Sequence, residues 1–194
     1  MMQDETSVSE GVGERKWVLV LDPAWRPAVE GEAPPVEAVI GAWLLEADGS
    51  TGPFQPNPDY VPADEDSPTD PVDAAVRLVV RGEYSETSVL SAMRDAMFGI
   101  ALDEQGAAIV TQSPDGFPVV LVATAPAHAR RLEVPSWQEI SAQDLADSLP
   151  ESGLDLLVNP AAPASMRVVA TSFKAAVAEA AAGGPLPEPP FGQS

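Results

Sequence analysis

The chain has 194 residues, 45% of them hydrophobic, and a mean hydropathy near zero, which is typical of one globular domain. Ten basic residues against thirty acidic ones give a net charge of -20, which repels phosphate backbones and anionic lipid surfaces. We therefore expect no nucleic acid partner. The absence of cysteine excludes disulfides, thiolate nucleophiles and cysteine-ligated metal centres.

The two ends of the chain have no strand or helix pattern. Residues 1–14 are polar and acidic where a signal peptide needs positive charge and an apolar run, so we expect a disordered tail and a cytoplasmic location. The longest apolar run, "VVLVATA" at 119–125, is too short for membrane insertion. Residues 183–194, "GGPLPEPPFGQS", predict a second, Pro-rich disordered tail. A single domain then covers residues 15–182.

Residues 15–66 predict a β-meander rich in tryptophan and proline. Its apolar runs are "KWVLVLDP" and "EAVIGAWLLEADGS", and the second ends in Asp48-Gly49, a typical turn pair. Trp17, Trp25 and Trp43 fall in this part and either anchor the strands or form an exposed contact patch. The acidic stretch that follows, "ADEDSPTDP" at 63–71, lacks the spacing of a calcium loop and is interpreted as a solvated linker.

Residues 70–182 alternate helical and strand patterns. Asp70 as cap and Pro71 at the first position predict a helix that ends before Gly82, and a second helix begins at Ser85 with Leu90, Met93 and Met97 on one face. The segments "FGIALD", "AAIVTQ" and "FPVVLVAT" predict three strands, the last two joined by a hairpin at residues 113–116.

The rest of the domain adds two helices and two strands. Ser141 and Asp144 resemble a capping box and predict a helix over 142–149. The strands "LDLLV" and "SMRVV" precede a last helix, "TSFKAAVAEAAA". The expected fold class is α+β: a mixed, largely antiparallel sheet packed by helices, with the N-terminal meander as an extension.

Residues that could perform catalysis are few. The single histidine, His128, lies beside Arg130 and Arg131 in a polar segment, so we expect it at the surface. Arg77 and Arg81, one helical turn apart, are expected to pair with nearby acids. No nucleophile elbow, phosphate loop or dinucleotide fingerprint occurs. We therefore predict no catalytic residue, no cofactor and no metal.

The strand "LDLLV" stops abruptly at Asn159-Pro160. An asparagine before proline favours an extended or turn conformation, and its side chain can bond the local backbone. The residues alone therefore predict a corner that reverses the chain at a sheet end.

The order of these segments resembles a known domain family. "DPVDAAVRLVVRGEYSETSVLSAM", "DGFPVVLVAT" and "SWQEISAQDLADSLPESGLDLLVNP" resemble the SseB N-terminal-type domain, in which a helix pair precedes a sheet and one strand runs into Asn-Pro. The resemblance covers about residues 70–180. Where that domain often has Phe-Thr at a strand end, this chain has Ala123-Thr124.

The front half resembles a second, longer family. "LDPAWRP", "PPVEAVIGAWLLEADG", "FQPNPDYVP" and "SPTDPVDAAVRL" are similar to segments of the type VII secretion system-associated proteins of high-GC actinomycete-type bacteria. Trp25, Trp43, Asn57-Pro58 and Tyr60 carry this match. The resemblance implies an accessory or interaction role near a secretion machine and assigns no catalytic residues.

We therefore expect a non-enzymatic, cytoplasmic protein-interaction module associated with type VII secretion. Its partner would be a secretion component or a secreted protein, and its oligomeric state is left open. The candidate interaction or signature positions are Trp25, Trp43, Tyr60, Asn159 and Pro160. A secreted substrate is disfavoured, because Tyr60 to Asp64 fits the export pattern Tyr-x-x-x-Asp/Glu only within a proline-rich loop, where a helical signal cannot form.

Two alternatives remain open. One is a small-molecule-binding or enzymatic domain with its site near the Asn159-Pro160 corner, and the other is an immunity protein against a secreted toxin. A closed cavity with convergent polar groups and buried acids would favour a ligand site. A flat apolar patch rimmed with acids would favour the interaction module.

Overall fold

The computed structural model describes residues 16–29, 31–45 and 52–182. The strands are β1 (Lys16–Leu21), β2 (Val39–Leu45), β3 (Gln55–Pro56), β4 (Met97–Leu102), β5 (Val110–Gln112), β6 (Pro118–Ala123), β7 (Ser136–Ser141), β8 (Asp155–Val158) and β9 (Met166–Val168). The helices are α1 (Pro71–Val80), α2 (Glu86–Met93), α3 (Pro126–Ala129), α4 (Ala142–Ser148) and α5 (Ala170–Ala181). The predicted tails at 1–14 and 183–194 and the Asp48-Gly49 turn lie outside the described residues.

The predicted α+β class is confirmed. The N-terminal meander forms a three-stranded sheet of its own, in the order β1-β2-β3, with antiparallel pairing throughout. The second sheet has six strands. Its order is β7-β4-β6-β8-β9, with β5 paired to β6. All its pairs are antiparallel except β6 with β8.

Helices α1, α2 and α4 begin where the sequence predicts them. The carboxylate of Asp70 accepts hydrogen bonds from the first-turn amides of α1, and Pro71 occupies the first helical position. Ser141 accepts from the amide of Asp144 at the start of α4. Ser85 precedes α2 without a side-chain cap bond. The hairpin at 113–116 is also confirmed, with Gly116 at a φ of +86° and Ser113 and Phe117 bonded across the turn.

The main core lies between the six-stranded sheet and four of the helices. Every second residue of the central strands enters it, because side chains alternate between the two faces of a strand. The inward residues of β4, β6 and β8 include Phe98, Val120 and Leu156. Helix α5 contributes Phe173, whose ring meets Phe98 edge to face with 6.0 Å between centroids. This core holds the six-stranded sheet and α1, α2, α4 and α5 together.

The small sheet has a separate core. Its buried members are Val20, Ile40, Phe54 and Tyr60, and the half-buried ring of Trp43 packs against them. The acidic stretch 63–71 leads from this core into α1. It was expected to be a solvated linker, but its second half is buried, because residues 67–70 lie between the small sheet and the start of α1.

Strands β3 and β7 and helix α3 were not predicted, and Met97 was placed in the wrong element. Strand β7 has a mostly exposed, polar sequence, "SWQEIS", so its apolar pattern is weak, yet it pairs with β4 over six residues. Helix α3 is only four residues long. Met97 was assigned to the second helix, but α2 ends at Met93 and Met97 begins β4.

Within the described ranges, no helix is both long and apolar enough to cross a membrane.

Candidate functional site

An apolar groove of about 840 Å³ lies between the small sheet and the first two helices. Val18, Trp43 and Phe54 line it from the small sheet, and Leu78 lines it from α1. Tyr84 also lines it and is 52% exposed, so the groove is open to solvent beside that ring. Its other lining residues include Val72, Ala75, Ser88, Ala92, Met97 and Ala142. The volume lies within the range of about 300 to 1,000 Å³ that is typical of ligand sites.

The sheet side of the groove depends on a glycine. The rings of Trp43 and Phe54 meet edge to face with 5.0 Å between centroids. Phe54 can reach this position because Gly41 has no side chain: a Cβ there would lie 2.4 Å from the Phe54 ring and 2.4 Å from the carbonyl oxygen of Gln55. The aromatic wall of the groove is therefore built on the close approach of β2 and β3 at Gly41.

The polar end of the groove is formed by Asp70 and Thr124. Asp70 is 1% exposed, and its Oδ1 accepts from the amides of Val72 and Asp73 at 2.9 and 3.0 Å. Its Oδ2 accepts from the hydroxyls of Thr69 at 2.8 Å and Thr124 at 2.6 Å. Burial raises the pKa of Asp70 and the neighbouring Asp73 raises it further, while His128 and Thr124 oppose the shift. All four of these donors belong to the protein itself.

His128 belongs to the same buried cluster, so the prediction of a surface histidine is wrong. Helix α3 carries His128 on its inner side, and the residue is only 1% exposed. Its Nε2 lies 2.5 Å from the Thr69 hydroxyl, 3.6 Å from Asp73 Oδ1 and 3.9 Å from Asp70 Oδ2. Burial lowers the pKa of His128, although both carboxylates oppose the shift. We therefore assign the neutral imidazole.

Arg77 is also buried, at 9% exposure. It was predicted to pair with a nearby acid, and the structure shows that this acid is Asp73. The guanidinium Nε donates to Asp73 Oδ2 at 2.8 Å, and Nη1 donates to the carbonyl of Glu65 at 2.6 Å. Arg81, the other arginine that was expected to pair with an acid, forms an ion pair with Asp66 at the surface. Among the described residues, Asp73 Oδ1 and His128 Nδ1 are buried side-chain atoms without a hydrogen-bond partner.

The cluster does not have the geometry of a nucleophile, base and acid relay. In such a relay the nucleophile and the acid contact opposite nitrogens of the histidine. Here the Thr69 hydroxyl and both carboxylates lie on the Nε2 side, and Nδ1 has no acid to orient it. Thr69, Asp73 and His128 are not among the residues that line the groove. The arrangement is suited to holding α1 and α3 against the sheet.

The Asn159-Pro160 corner holds two strand ends together. Asn159 adopts a φ of +51°, and its backbone amide donates to the carbonyl of Val122 at 2.8 Å. Its side-chain oxygen accepts from the amide of Thr124 at 2.9 Å, and its Nδ2 donates to the Thr124 hydroxyl at 2.9 Å. The Thr124 hydroxyl in turn donates a hydrogen bond to Asp70 Oδ2. The predicted corner is confirmed, and it also joins β8 to β6 and to the cap of α1.

A second buried carboxylate ties the small sheet to the segment before α1. Asp22 Oδ2 accepts from the Tyr60 hydroxyl at 2.8 Å and the Ala63 amide at 3.1 Å, and Oδ1 accepts from the Ser67 hydroxyl at 2.9 Å. Burial acts to raise the pKa of Asp22, but these bonds and that of Ala24 outweigh it and lower the pKa. Burial, together with Asp22, raises the pKa of Tyr60.

The candidate positions from the sequence fall in different places. Trp43 lines the apolar groove, whereas Trp25 is half buried and lines a smaller cavity of about 370 Å³. Tyr60, Asn159 and Pro160 are buried. Sequence reasoning placed Asp70 only as a helix cap and did not connect it with Thr124 or His128. These residues are far apart in the chain, and no local pattern marks their contact.

The site therefore consists of an apolar groove with Asp70 and Thr124 at one end, and both of these residues form their hydrogen bonds with other residues of the protein. In the described part of the chain, no group of three or more histidine or acidic side chains could hold a metal ion. Comparisons of the chain with protein-family models, with curated proteins and with solved structures give no match.

Proposed function

We propose that this protein is a non-enzymatic binding module that holds an apolar segment of a partner protein in the groove between the small sheet and helices α1 and α2. The association with type VII secretion rests on the resemblances of the sequence, and we propose a cytoplasmic location with it. The partner we propose is accordingly a secretion component or a secreted protein.

The observation that carries the proposal is the apolar groove. Aromatic side chains that are partly exposed in a concave, apolar site are the residues that most often dominate the energy of protein interfaces. Trp43 and Tyr84 supply such side chains, the buried ring of Phe54 packs behind Trp43, and Leu78 adds an aliphatic wall. A partner segment with apolar side chains at its contact face would remove these surfaces from water.

The chemistry of the polar cluster supports a binding role. Asp70 and Thr124 are the members that line the groove, and each already has protein partners at hydrogen-bond distance. A general base needs a free lone pair within reach of its substrate. Asp70 would have to give up a cap bond or a hydroxyl bond to act on a molecule in the groove.

The test compares two glutamate substitutions near the same helix end. Tyr84→Glu places a charge in the groove, and Val80→Glu places one at a 63% exposed position that does not line the groove. Tagged full-length chains are purified from the cells that produce the protein, and co-purified proteins are quantified by mass spectrometry. We expect one stoichiometric partner with the wild type and with Val80→Glu, and its loss with Tyr84→Glu.

Thermal unfolding of each purified chain shows whether the substitution has affected folding. A partner retained by well-folded Tyr84→Glu would contradict the groove as the binding site. No stoichiometric partner with any chain would contradict the interaction module itself.

The volume of the groove favours a second candidate, a small-molecule-binding domain. A site of this size could hold an apolar ligand, with Asp70 and Thr124 at its polar end. Native mass spectrometry of the purified chain distinguishes this candidate. It predicts a bound small molecule that Tyr84→Glu reduces and Val80→Glu does not, in a chain without a protein partner.

A further inference from the structure

We propose that the free edge of β1 pairs with an extended, basic segment of the partner protein, which becomes a fourth strand of the small sheet. This inference rests on the proposed function and names how the partner binds. It starts from the exposure of β1, where Trp17, Val18 and Leu19 are 49%, 45% and 52% exposed. Three consecutive exposed apolar residues put apolar surface on both faces of the strand.

From Lys16 to Val20, β1 lacks most of the features by which proteins normally protect an edge strand; its pairing with β2 shifts register only at the end, between Val20 and Leu21. Such strands are kept short, or carry charges or proline, because their outward backbone groups can pair with another chain. β1 is six residues long, contains no proline and has one charge, Lys16 at its start. Its backbone pairs with β2, and no other strand in the described ranges pairs with it.

The other edge of the same sheet is protected. β3 is two residues long and one of them is Pro56, which cannot donate to a neighbouring strand. The outermost strand β7 of the large sheet carries polar residues at most positions. The open, apolar edge is therefore specific to β1 among these edge strands.

An added strand would reach the apolar groove. Val18 lies opposite Trp43 in the register of β1 and β2, and both residues line the groove. Because side chains of a strand alternate between faces, every second residue of a segment on β1 would point to the groove side. The other residues would lie beside Trp17 and Leu19 on the opposite face. Edge and groove thus form one continuous surface for an extended chain.

The charge of the molecule identifies the kind of segment. Residues 1–75 contain sixteen acids and three bases, a net charge of -13, and the whole chain carries -20. A second copy of this chain would bring the same negative charge to the edge. A segment in which lysine or arginine alternates with apolar residues would meet the opposite charge and would supply side chains to the groove.

The test uses synthetic peptides as probes and the full-length protein. The first peptide alternates valine and lysine over the length of β1, the second has glutamate in place of lysine, and the third has a central proline. Hydrogen exchange of the β1 amides is measured with each. We expect the lysine peptide to slow exchange at Trp17 to Val20 and the other two peptides to leave it unchanged.

Matched substitutions locate the effect. Leu19→Lys adds a repelling charge to the edge at an exposed position, and Val110→Lys does the same on β5, where the side chain is 54% exposed. We expect Leu19→Lys to abolish the protection by the lysine peptide and Val110→Lys to retain it. Exchange slowed on another strand, equal protection by the glutamate peptide, or protection that survives Leu19→Lys would each overturn the proposal.

The same variants separate this inference from the proposed function. If the partner of the groove is lost with Tyr84→Glu but kept with Leu19→Lys, the module stands and strand addition at β1 is wrong. If both substitutions release the partner while Val110→Lys and Val80→Glu keep it, edge and groove act as one surface.

Discussion

Asp70 connects three parts of the fold with one carboxylate. Its Oδ1 caps α1, and its Oδ2 accepts from Thr69 in the preceding segment and from Thr124 at the end of β6. Thr124 is in turn held by Asn159 at the end of β8. A buried network of this kind is stabilising only while every member has its partners.

Asp70→Ala removes the cap and leaves two buried hydroxyls without their acceptor. We expect a loss of about 2 to 4 kcal/mol in the free energy of unfolding, from cap loss and unpaired buried groups together. Asp66→Ala is the control, since Asp66 is 85% exposed and pairs with Arg81 only at the surface. It should cost less than about 0.5 kcal/mol. Urea unfolding of both variants measures the difference, and similar costs would contradict the assignment.

The single histidine allows a pH test of its burial. Burial lowers the pKa of His128 from its ordinary value of 6.5. At a pH just below 6.5, the histidine is therefore protonated in the unfolded chain and neutral in the folded chain. The stability due to the neutral ring is therefore present above that value and is lost as the pH falls through the window toward the folded-state pKa.

His128→Gln removes this titration. We expect the unfolding free energy of the wild type, relative to His128→Gln, to fall by up to about 1.4 kcal/mol per pH unit below pH 6.5. The raised pKa of Asp70 acts in the opposite direction, since its contribution is lost as the pH rises. Both chains contain Asp70, but in His128→Gln the histidine no longer opposes that shift, so the comparison reports His128 together with its coupling to Asp70. Urea titrations across this pH range provide the measurement. A difference that stays constant with pH would show that His128 titrates as in the unfolded chain.

At the residue scale, local signals were predictable and distant partners were not. The cap at Asp70, the proline at position 71 and the glycine turn at 116 follow from backbone chemistry within a few residues. The burial of His128 depends on the docking of a four-residue helix against α1, and its polar neighbours in sequence favoured the surface. No short-range pattern carries that information.

At the scale of elements, the small sheet depends on Gly41. The closest atoms to a Cβ there are the backbone oxygen of Gln55 and the ring of Phe54, and backbone cannot move aside without breaking the pairing of β2 with β3. Gly99 in β4 provides the comparison. A Cβ at Gly99 would lie 3.2 Å from the ring of Trp137, and the next nearest atoms would lie 3.9 Å away.

Gly41→Ala is expected to cost about 1 to 3 kcal/mol through overpacking and to displace Phe54 from the groove. Amide exchange in β1 and β2 should quicken while the six-stranded sheet keeps its protection. Gly99→Ala should cost less than about 1 kcal/mol, because a side chain can shift where a backbone cannot. Equal effects of the two substitutions on β1 and β2 would contradict the role given to Gly41.

The helices and most strands were predictable because their hydrophobic period matches their structure. α1 and α5 bury residues at helical spacing, and β4 and β6 have apolar runs bounded by turns. β7 was missed because most of its side chains are exposed and polar, so its structure is set by pairing with β4 rather than by its own sequence. Strand partners are tertiary information.

At the scale of the whole molecule, two sheets with separate cores are joined through residues 57–70. Asp22 and Tyr60 hold that segment to the small sheet, and Asp70 holds its end to the large one. The apolar groove lies where these parts meet, so it could not be located from the sequence. The sequence marked Trp43 as a candidate interaction residue, but Leu78 and Tyr84, which line the same groove, come from helix α1 and the segment after it.

Photo-cross-linking in cells shows whether a partner protein occupies the groove. The cross-linking amino acid p-benzoylphenylalanine is placed at position 84 in one chain and at position 80 in another, and both are irradiated in the cells that produce the protein. Position 84 lines the groove, whereas position 80 is exposed and does not. We expect one specific protein adduct from position 84 and none from position 80. The same adduct from both positions, or none from position 84, would contradict the groove as the binding site.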